Sequence, residues 1–310
     1  MASEPILTTL DLPVAKCSDT WDSNIWFDYF ALTKPEVNFL IVVTTFAGFY
    51  LGYNSAWHDF PILRSINTVL GTLLVASGTG TLNQYIERSF DAQMRRTSRR
   101  PLAAGRLNPS AVLWFGIALS VVGTVYLAAA VNLLASFLAL GTLLSYLFLY
   151  TPLKRKSSMC TLVGAFAGAM PPLIGWGAAS GQLSFGAWTL YSLLFLWQFP
   201  HFMAIAWMYR EDYARAGYFV LPRNERAKDR LVNWQTMLPL LLLVPASLLP
   251  VSTNKASVQY YIGAVLLCGA FLYYGAQLIR RKSNSSARQL LSASILYLPS
   301  LFVLMIVLRK

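Results

Sequence analysis

Three oxygen-bearing side chains recur at intervals of four in the segment Asn83-Gln-Tyr-Ile-Glu87-Arg-Ser-Phe-Asp91. Four residues turn an α-helix by about 400°, so Asn83, Glu87 and Asp91 fall on one narrow stripe. Oxygen ligands on one stripe suit Mg²⁺, which takes one or two carboxylates and completes its shell with water and substrate phosphate oxygens. A polar helix end at a membrane interface would account for the same residues. Acidic side chains within or beside an apolar span are costly enough, however, to point to function.

Arg88, Arg95, Arg96, Arg99 and Arg100 follow, in a stretch whose nearby acids are those of the stripe itself. Guanidinium forks match phosphate oxygens two at a time. Some of the five must serve topology by facing lipid headgroups; Arg95, Arg96 and Arg100 are the candidates for holding a diphosphate. A second acidic pair, Glu211 and Asp212, stands in Tyr209-Arg210-Glu211-Asp212-Tyr213. Two acidic clusters facing one compartment could hold one or two Mg²⁺ ions against a single diphosphate, the metal neutralising the leaving group and the cations positioning it. The alternative is a solvated loop in which Glu211 and Asp212 pair with Arg210 and Arg215. Loss of diphosphate from an allylic chain leaves a carbocation that must be kept from water, and a bundle of apolar helices is a dry chamber for it. His201, in Trp197-Gln198-Phe199-Pro200-His201-Phe202, could ligate a haem iron or hydrogen-bond a substrate carboxylate, or be satisfied by a backbone carbonyl.

The elements that must position these residues are membrane helices. Of the 310 residues 56% are hydrophobic and 12% charged, against about a quarter charged in a soluble domain. Apolar runs of spanning length predict nine helices at about 37–53, 65–86, 110–129, 132–150, 160–179, 187–208, 234–251, 259–279 and 289–308, an all-α polytopic bundle with a polar segment over 209–233 at the membrane surface. Residues 1–34, which hold Glu4, Asp11, Asp19, Asp22 and Asp28, lack a basic stretch followed by an apolar core and so do not resemble a cleaved signal peptide. They read as a tail and surface helix ahead of one integral domain, 35–310. Glycines and prolines from Gly164 to Gly177 predict close packing and a kink. Cys17, Cys160 and Cys268 have no metal-like spacing and carry no assigned chemistry.

Of the 25 basic residues all but Arg64, Lys255, Arg309 and Lys310 precede the first span or fall in even-numbered connections. The positive-inside rule therefore puts the N-terminus and those connections in the cytoplasm, or a mitochondrial matrix, and the C-terminus opposite. The formal charge of +12 is thereby explained without nucleic acid. The acidic N-terminal segment is unlike an Arg-rich transit peptide, which favours a bacterial inner membrane.

These segments together resemble the UbiA-type intramembrane prenyltransferases, and within them the branch that farnesylates haem. The likeness spans nearly the whole chain after residue 30. It rests on Leu32-Thr33-Lys34-Pro35, the Asn83 to Asp91 motif, Arg96-Thr97 with Arg100-Pro101-Leu102, Tyr150-Thr151-Pro152-Leu153-Lys154-Arg155, Gly164 through Pro172 with Gly175-Trp176, Trp197 through His201, and Asp212-Tyr213. The resemblance implies Mg²⁺-dependent transfer of a farnesyl group from farnesyl diphosphate to a vinyl group of haem B, forming haem O, with haem A synthase as a possible downstream partner. It implies that Asn83, Glu87 and Asp91, with Glu211 or Asp212, act on Mg²⁺ and diphosphate, that Lys154 and Arg155 help hold the diphosphate, and that His201 contacts haem. Glu87 stands where the wider family commonly has aspartate, and Glu211-Asp212 lacks the spaced aspartate pair of the quinone-directed relatives. That difference favours haem over a quinone precursor, the alternative acceptor. A secondary transporter, the rival outside enzymes, would place its ionisable groups near the midplane of an internal repeat, whereas here they gather at one face.

Overall fold

A chain in hydrocarbon has to satisfy its own backbone hydrogen bonds, so apolar runs of this length fold as helices. The computed structural model describes residues 25–53, 59–249 and 257–308, whose regular structure is helical throughout. Glu4, Asp11, Lys16, Cys17, Asp19, Asp22, Lys255, Arg309 and Lys310 lie outside the described residues.

A short helix, α1 (Ile25–Leu32), precedes the spans. Among the described residues nine stretches are long and apolar enough to cross a bilayer. They are α2 (Pro35–Gly52), α3 (Ile62–Asp91) and α4 (Pro109–Ala130), then a composite of α5 (Leu133–Leu144), a π-helical turn over Ser145–Tyr150 and α6 (Thr151–Leu153). A second composite joins α7 (Cys160–Gly168) to α8 (Met170–Ser180), and α9 (Phe185–Met208) follows. After the short α10 (Arg210–Arg215) come α11 (Glu225–Leu248), α12 (Val258–Arg281) and α13 (Asn284–Val307). The chain is an integral membrane protein.

Three boundaries differ from the sequence expectation for identifiable reasons. The second span, expected to end near 86, continues to Asp91, and its 30 residues measure about 45 Å at 1.5 Å per residue. That exceeds a hydrocarbon core of about 30 Å, so one continuous helix carries the oxygen stripe past the membrane interior. The seventh span begins at Glu225, not near 234, because the Asn224 side chain caps the Ala227 amide at 3.1 Å and Glu225 complements the helix dipole. The expected surface loop over 209–233 is thus largely α10 and the first turns of α11. The last span begins at Asn284 behind a capping box formed by Ser283 and Ser286.

In the first half α3 packs against α2 and α4, and α2 against α8; in the second, α9 lies against α11 and α13, with α12 between those two. The approach of α2 to α8 is the tightest. A Cβ at Gly175 would stand 1.9 Å from the Thr45 carbonyl oxygen, and one at Gly48 2.3 Å from that of Pro172. Small residues let helix backbones meet where lipid offers no hydrophobic drive. The expected kink is the break between α7 and α8 at Ala169, just ahead of Pro171 and Pro172. Large apolar side chains such as Trp114, Phe137, Leu266 and Leu296 are exposed towards lipid. Several buried hydroxyls in the spans instead bond back along their own helices, as Thr72 does to the Thr68 carbonyl and Ser120 to that of Gly116.

Candidate active site

The last turns of α3 bury polar side chains where a surface helix would expose them. Asn83, Glu87 and Asp91 are 1%, 5% and 2% exposed, and each meets a partner from another element. Lys34 donates to Asn83 Oδ1 at 3.0 Å, and the Asn83 amide nitrogen donates to Thr151 Oγ1 at 3.2 Å. Lys154 Nζ lies 2.9 and 3.2 Å from the two oxygens of Glu87. Arg100 donates to Asp91 Oδ2 at 2.7 Å. Thr151 and Lys154 enter from the end of the fourth span, immediately after its π-helical turn, a distortion that recurs at functional sites.

The electrostatics follow from this crowding of unlike and like charges. Burial, reinforced by the neighbouring cations Arg100 and Lys154, brings the Lys34 ammonium down to about 7 despite the opposing pull of Glu87 and Asp91. Burial also works against charge on Lys154, but the Glu87 carboxylate, helped by Tyr150 and Tyr146, holds its ammonium well above the ordinary lysine value. Tyr218, whose ring lies 6.0 Å from Lys154 Nζ, has its phenol pushed up by burial and by the nearby Glu87 charge. The segment that carries Tyr218 is tied down by the Phe219 amide, which donates to the Lys154 carbonyl at 2.8 Å.

The two acids after α9 part company. Asp212 is 8% exposed and accepts from the Arg96 backbone amide at 3.4 Å and from Arg215 at 3.2 Å, pinning α10 to the loop after α3. The Glu211 side chain is 82% exposed and 3.8 Å from Arg210, on the outside of the same turn. The candidate cations divide similarly: Arg100 and Lys154 touch the stripe, whereas Arg95, Arg96 and Arg155 are exposed. Arg96 lies over the rings of Tyr209 and Tyr213, and Arg155 over that of Phe90.

His201 belongs to a different neighbourhood. Its Nδ1 is 2.8 Å from Ser294 Oγ, and its ring stacks on Trp197 at 4.7 Å. Ser294 Oγ donates its only proton to the Leu291 carbonyl at 2.6 Å, so it accepts from His201. The proton therefore sits on Nδ1, leaving Nε2 with a free lone pair. Trp197 secures the same turn by donating to the Ser294 carbonyl at 2.8 Å.

Sequence reasoning passed over Lys34 and Thr151 as individual site residues. In the sequence Lys34 reads as a topology-setting charge within the Leu32-Thr33-Lys34-Pro35 motif, and nothing in its spacing shows that the chain turns it inward. Thr151 lies inside a motif quoted for resemblance, but its contact with Asn83 crosses 68 positions.

Among the described residues no three His, Cys, Asp or Glu side chains gather into a metal cage. The buried donors on the stripe are an amide oxygen and two carboxylates, hard oxygen ligands that fit Mg²⁺, which needs only one or two protein carboxylates when phosphate oxygens and water fill its shell.

The sequence profile of the UbiA prenyltransferase family matches residues 41–302. Protoheme IX farnesyltransferase of Solibacter usitatus is 46% identical over 285 residues, 90% of this chain and 97% of its own length. That of Salinibacter ruber is 42% identical, covering 91% and 98%. Two solved structures share the fold at low identity. A digeranylgeranylglyceryl phosphate synthase has a TM-score of 0.74 at 18% identity, covering 91% of this chain and 98% of its own. A UbiA homologue from Archaeoglobus fulgidus, bound to GPP and Mg²⁺, has a TM-score of 0.63 at 17% identity, covering 90% and 99%. The chain belongs to the UbiA prenyltransferase family and is similar over nine-tenths of its length to protoheme IX farnesyltransferases.

Proposed function

We propose that this protein transfers the farnesyl group of farnesyl diphosphate to a vinyl group of haem B, forming haem O, in an Mg²⁺-dependent reaction. The observation that carries the donor half is the buried stripe of Asn83, Glu87 and Asp91, each side chain faced by a cation, at the end of an apolar bundle. The acceptor is supported by the similarity to protoheme IX farnesyltransferases. Mg²⁺ is supported by the oxygen donor set and by the likeness in fold to a homologue bound to GPP and Mg²⁺.

In this reading Asn83, Glu87 and Asp91 hold Mg²⁺ and orient the diphosphate, and of the two later acids Asp212 takes part while Glu211 stays at the surface. The metal, when bound, neutralises charge on the departing diphosphate. Arg100 and Lys154 donate to diphosphate oxygens, and Arg95, Arg96 and Arg155 form a cationic rim that draws the donor in. The bond from the farnesyl carbon to oxygen breaks with its electron pair leaving on diphosphate, and the vinyl π electrons form the new carbon–carbon bond. Water then adds to the cation beside the ring, and a proton is released. The apolar walls keep water from the farnesyl carbon until the vinyl group attacks. His201 faces haem with Nε2, the nitrogen that Ser294 leaves unprotonated.

Residues 35–310 are the catalytic unit, in the inner membrane of a bacterium. The N-terminus and the site's face lie in the cytoplasm and the C-terminus opposite, a reading supported by the distribution of basic residues. The product, carrying an apolar tail, passes within the bilayer to haem A synthase. Mass spectrometry of the products formed from haem B, farnesyl diphosphate and Mg²⁺ by purified protein, with Asp91→Ala beside it, tests the proposal. Haem O formed by the unaltered protein and lost in the variant is the expected result. Diphosphate release without a farnesylated haem would refute the acceptor.

A further inference from the structure

We infer that Lys34 is a third cation of the donor site, which passes its hydrogen bond from Asn83 to the diphosphate of the incoming prenyl donor. The inference rests on the donor-site reading above and adds to it a residue from outside the spans.

The elbow between α1 and α2 is built around this side chain. Lys34 adopts φ 54° and ψ 61°, one of two non-glycine residues with positive φ among the described residues, and Pro35 starts α2 directly after it. Side chains of α2 and α3 fasten the backbone just ahead of it. Gln84 donates to the Leu32 carbonyl at 2.9 Å, and Asn38 donates to the Thr33 carbonyl at 2.7 Å and to Ser77 Oγ at 2.9 Å. The lysine stem lies across Gly80 of α3, which directs the ammonium inwards to Asn83 Oδ1 at 3.0 Å. An ordinary membrane-facing lysine would point to the headgroups and would need none of these fastenings.

Its surroundings point to an anion. The ammonium has three protons and spends one on a neutral amide. Lys154 and Arg100 stand on Glu87 and Asp91 of the same stripe, so three cations line it where its two carboxylates already have partners of their own. Bringing like charges together out of water is unfavourable unless a multiply charged anion joins them. A diphosphate beside Asn83 supplies that charge. Lys34 then moves its hydrogen bond from Asn83 to a phosphate oxygen, and Asn83 Oδ1 is left clear of a competing cation.

The test is calorimetric binding of inorganic diphosphate in the presence of Mg²⁺ to the full chain in detergent, for the unaltered protein, Lys34→Gly, Lys34→Gln and Lys34→Arg. Glycine accepts positive φ freely, so Lys34→Gly removes the ammonium while keeping the elbow. The expected result is diphosphate binding at least tenfold weaker in the glycine and glutamine variants, with arginine within about threefold of the unaltered protein and the melting temperature of Lys34→Gly no lower. Unchanged diphosphate affinity in Lys34→Gly would overturn the role of Lys34 and leave the donor site standing. No diphosphate binding by the unaltered protein would overturn the donor-site reading and this inference with it.

Discussion

Lys154 grips both oxygens of Glu87, at 2.9 and 3.2 Å, across the gap between the end of the fourth span and the middle of the oxygen stripe. The two side chains are 14% and 7% exposed, so neither can turn to water if the other is lost. Removing one partner of a buried pair leaves an uncompensated charge, at a cost of about 3 kcal/mol or more. Glu87→Leu and Lys154→Met are each expected to lower the melting temperature by several degrees. The double variant should regain most of that loss, because an apolar pair of similar volume replaces the ions. All three should be inactive. Thermal unfolding in detergent checks this, and a double variant no more stable than the singles would refute it.

Arg100 is the other cation bound to the stripe, but its side chain is 28% exposed, and solvent screens what it contributes to stability. Arg100→Gln is therefore expected to melt close to the unaltered protein while kcat/KM for farnesyl diphosphate falls by tenfold or more, about 1.4 kcal/mol of lost transition-state binding. Steady-state kinetics at saturating haem B beside a melting curve separates the two effects. A large loss of stability with an unchanged kcat/KM would show the pair to be structural.

The acceptor role proposed for His201 turns on one hydroxyl. Ser294 fixes the proton of His201 on Nδ1 by giving its own to Leu291, and loss of such an orienting partner typically costs ten- to a hundredfold in affinity at the site it supports. Ser294→Ala should raise the KM for haem B by about tenfold and weaken the change in the haem absorption band on binding. Diphosphate affinity should be unchanged. An effect on diphosphate binding instead would place His201 outside acceptor recognition.

The spans are legible in the sequence because long apolar runs declare membrane helices, and the stripe because a repeat of four declares one helix face. Asn83, Glu87 and Asp91 share one helix and are all buried although the sequence puts its end near 86, since the spacing is informative wherever the helix ends. The contacts between elements were not legible. Whether Lys154 or Arg155 turns inward depends on the path the chain takes after a π-helical turn that no residue type announces, and the opposite fates of Glu211 and Asp212 depend on which side of a six-residue helix meets the loop after α3. Lys34 was hidden for a similar reason: it sits where a topology-setting charge belongs, and its inward turn arises from a backbone conformation fastened by Gln84 and Asn38, far along the chain from one another.

Two glycines, Gly175 and Gly181, allow packing and conformation to be told apart. At Gly175 an added methyl group would stand 1.9 Å from the Thr45 carbonyl oxygen and 2.7 Å from the Phe49 nitrogen. These are backbone atoms in the face of α2 against which α8 rests, so they cannot yield without parting the helices. Gly181 ends α8 at φ 72° with nothing within 4 Å of an added Cβ, and alanine there meets only the intrinsic strain of the left-handed region, roughly 1–2 kcal/mol. Overpacking a tight contact costs about 1–3 kcal/mol and moves its neighbours. Gly175→Ala should therefore both lower the melting temperature and depress activity, because Gly48 and Pro172 share the displaced contact and α2 carries the elbow at its head. Gly181→Ala should lower the melting temperature by a few degrees and leave kcat/KM for farnesyl diphosphate unchanged. Equal kinetic defects in the two variants would show that the α2–α8 contact does not position the site.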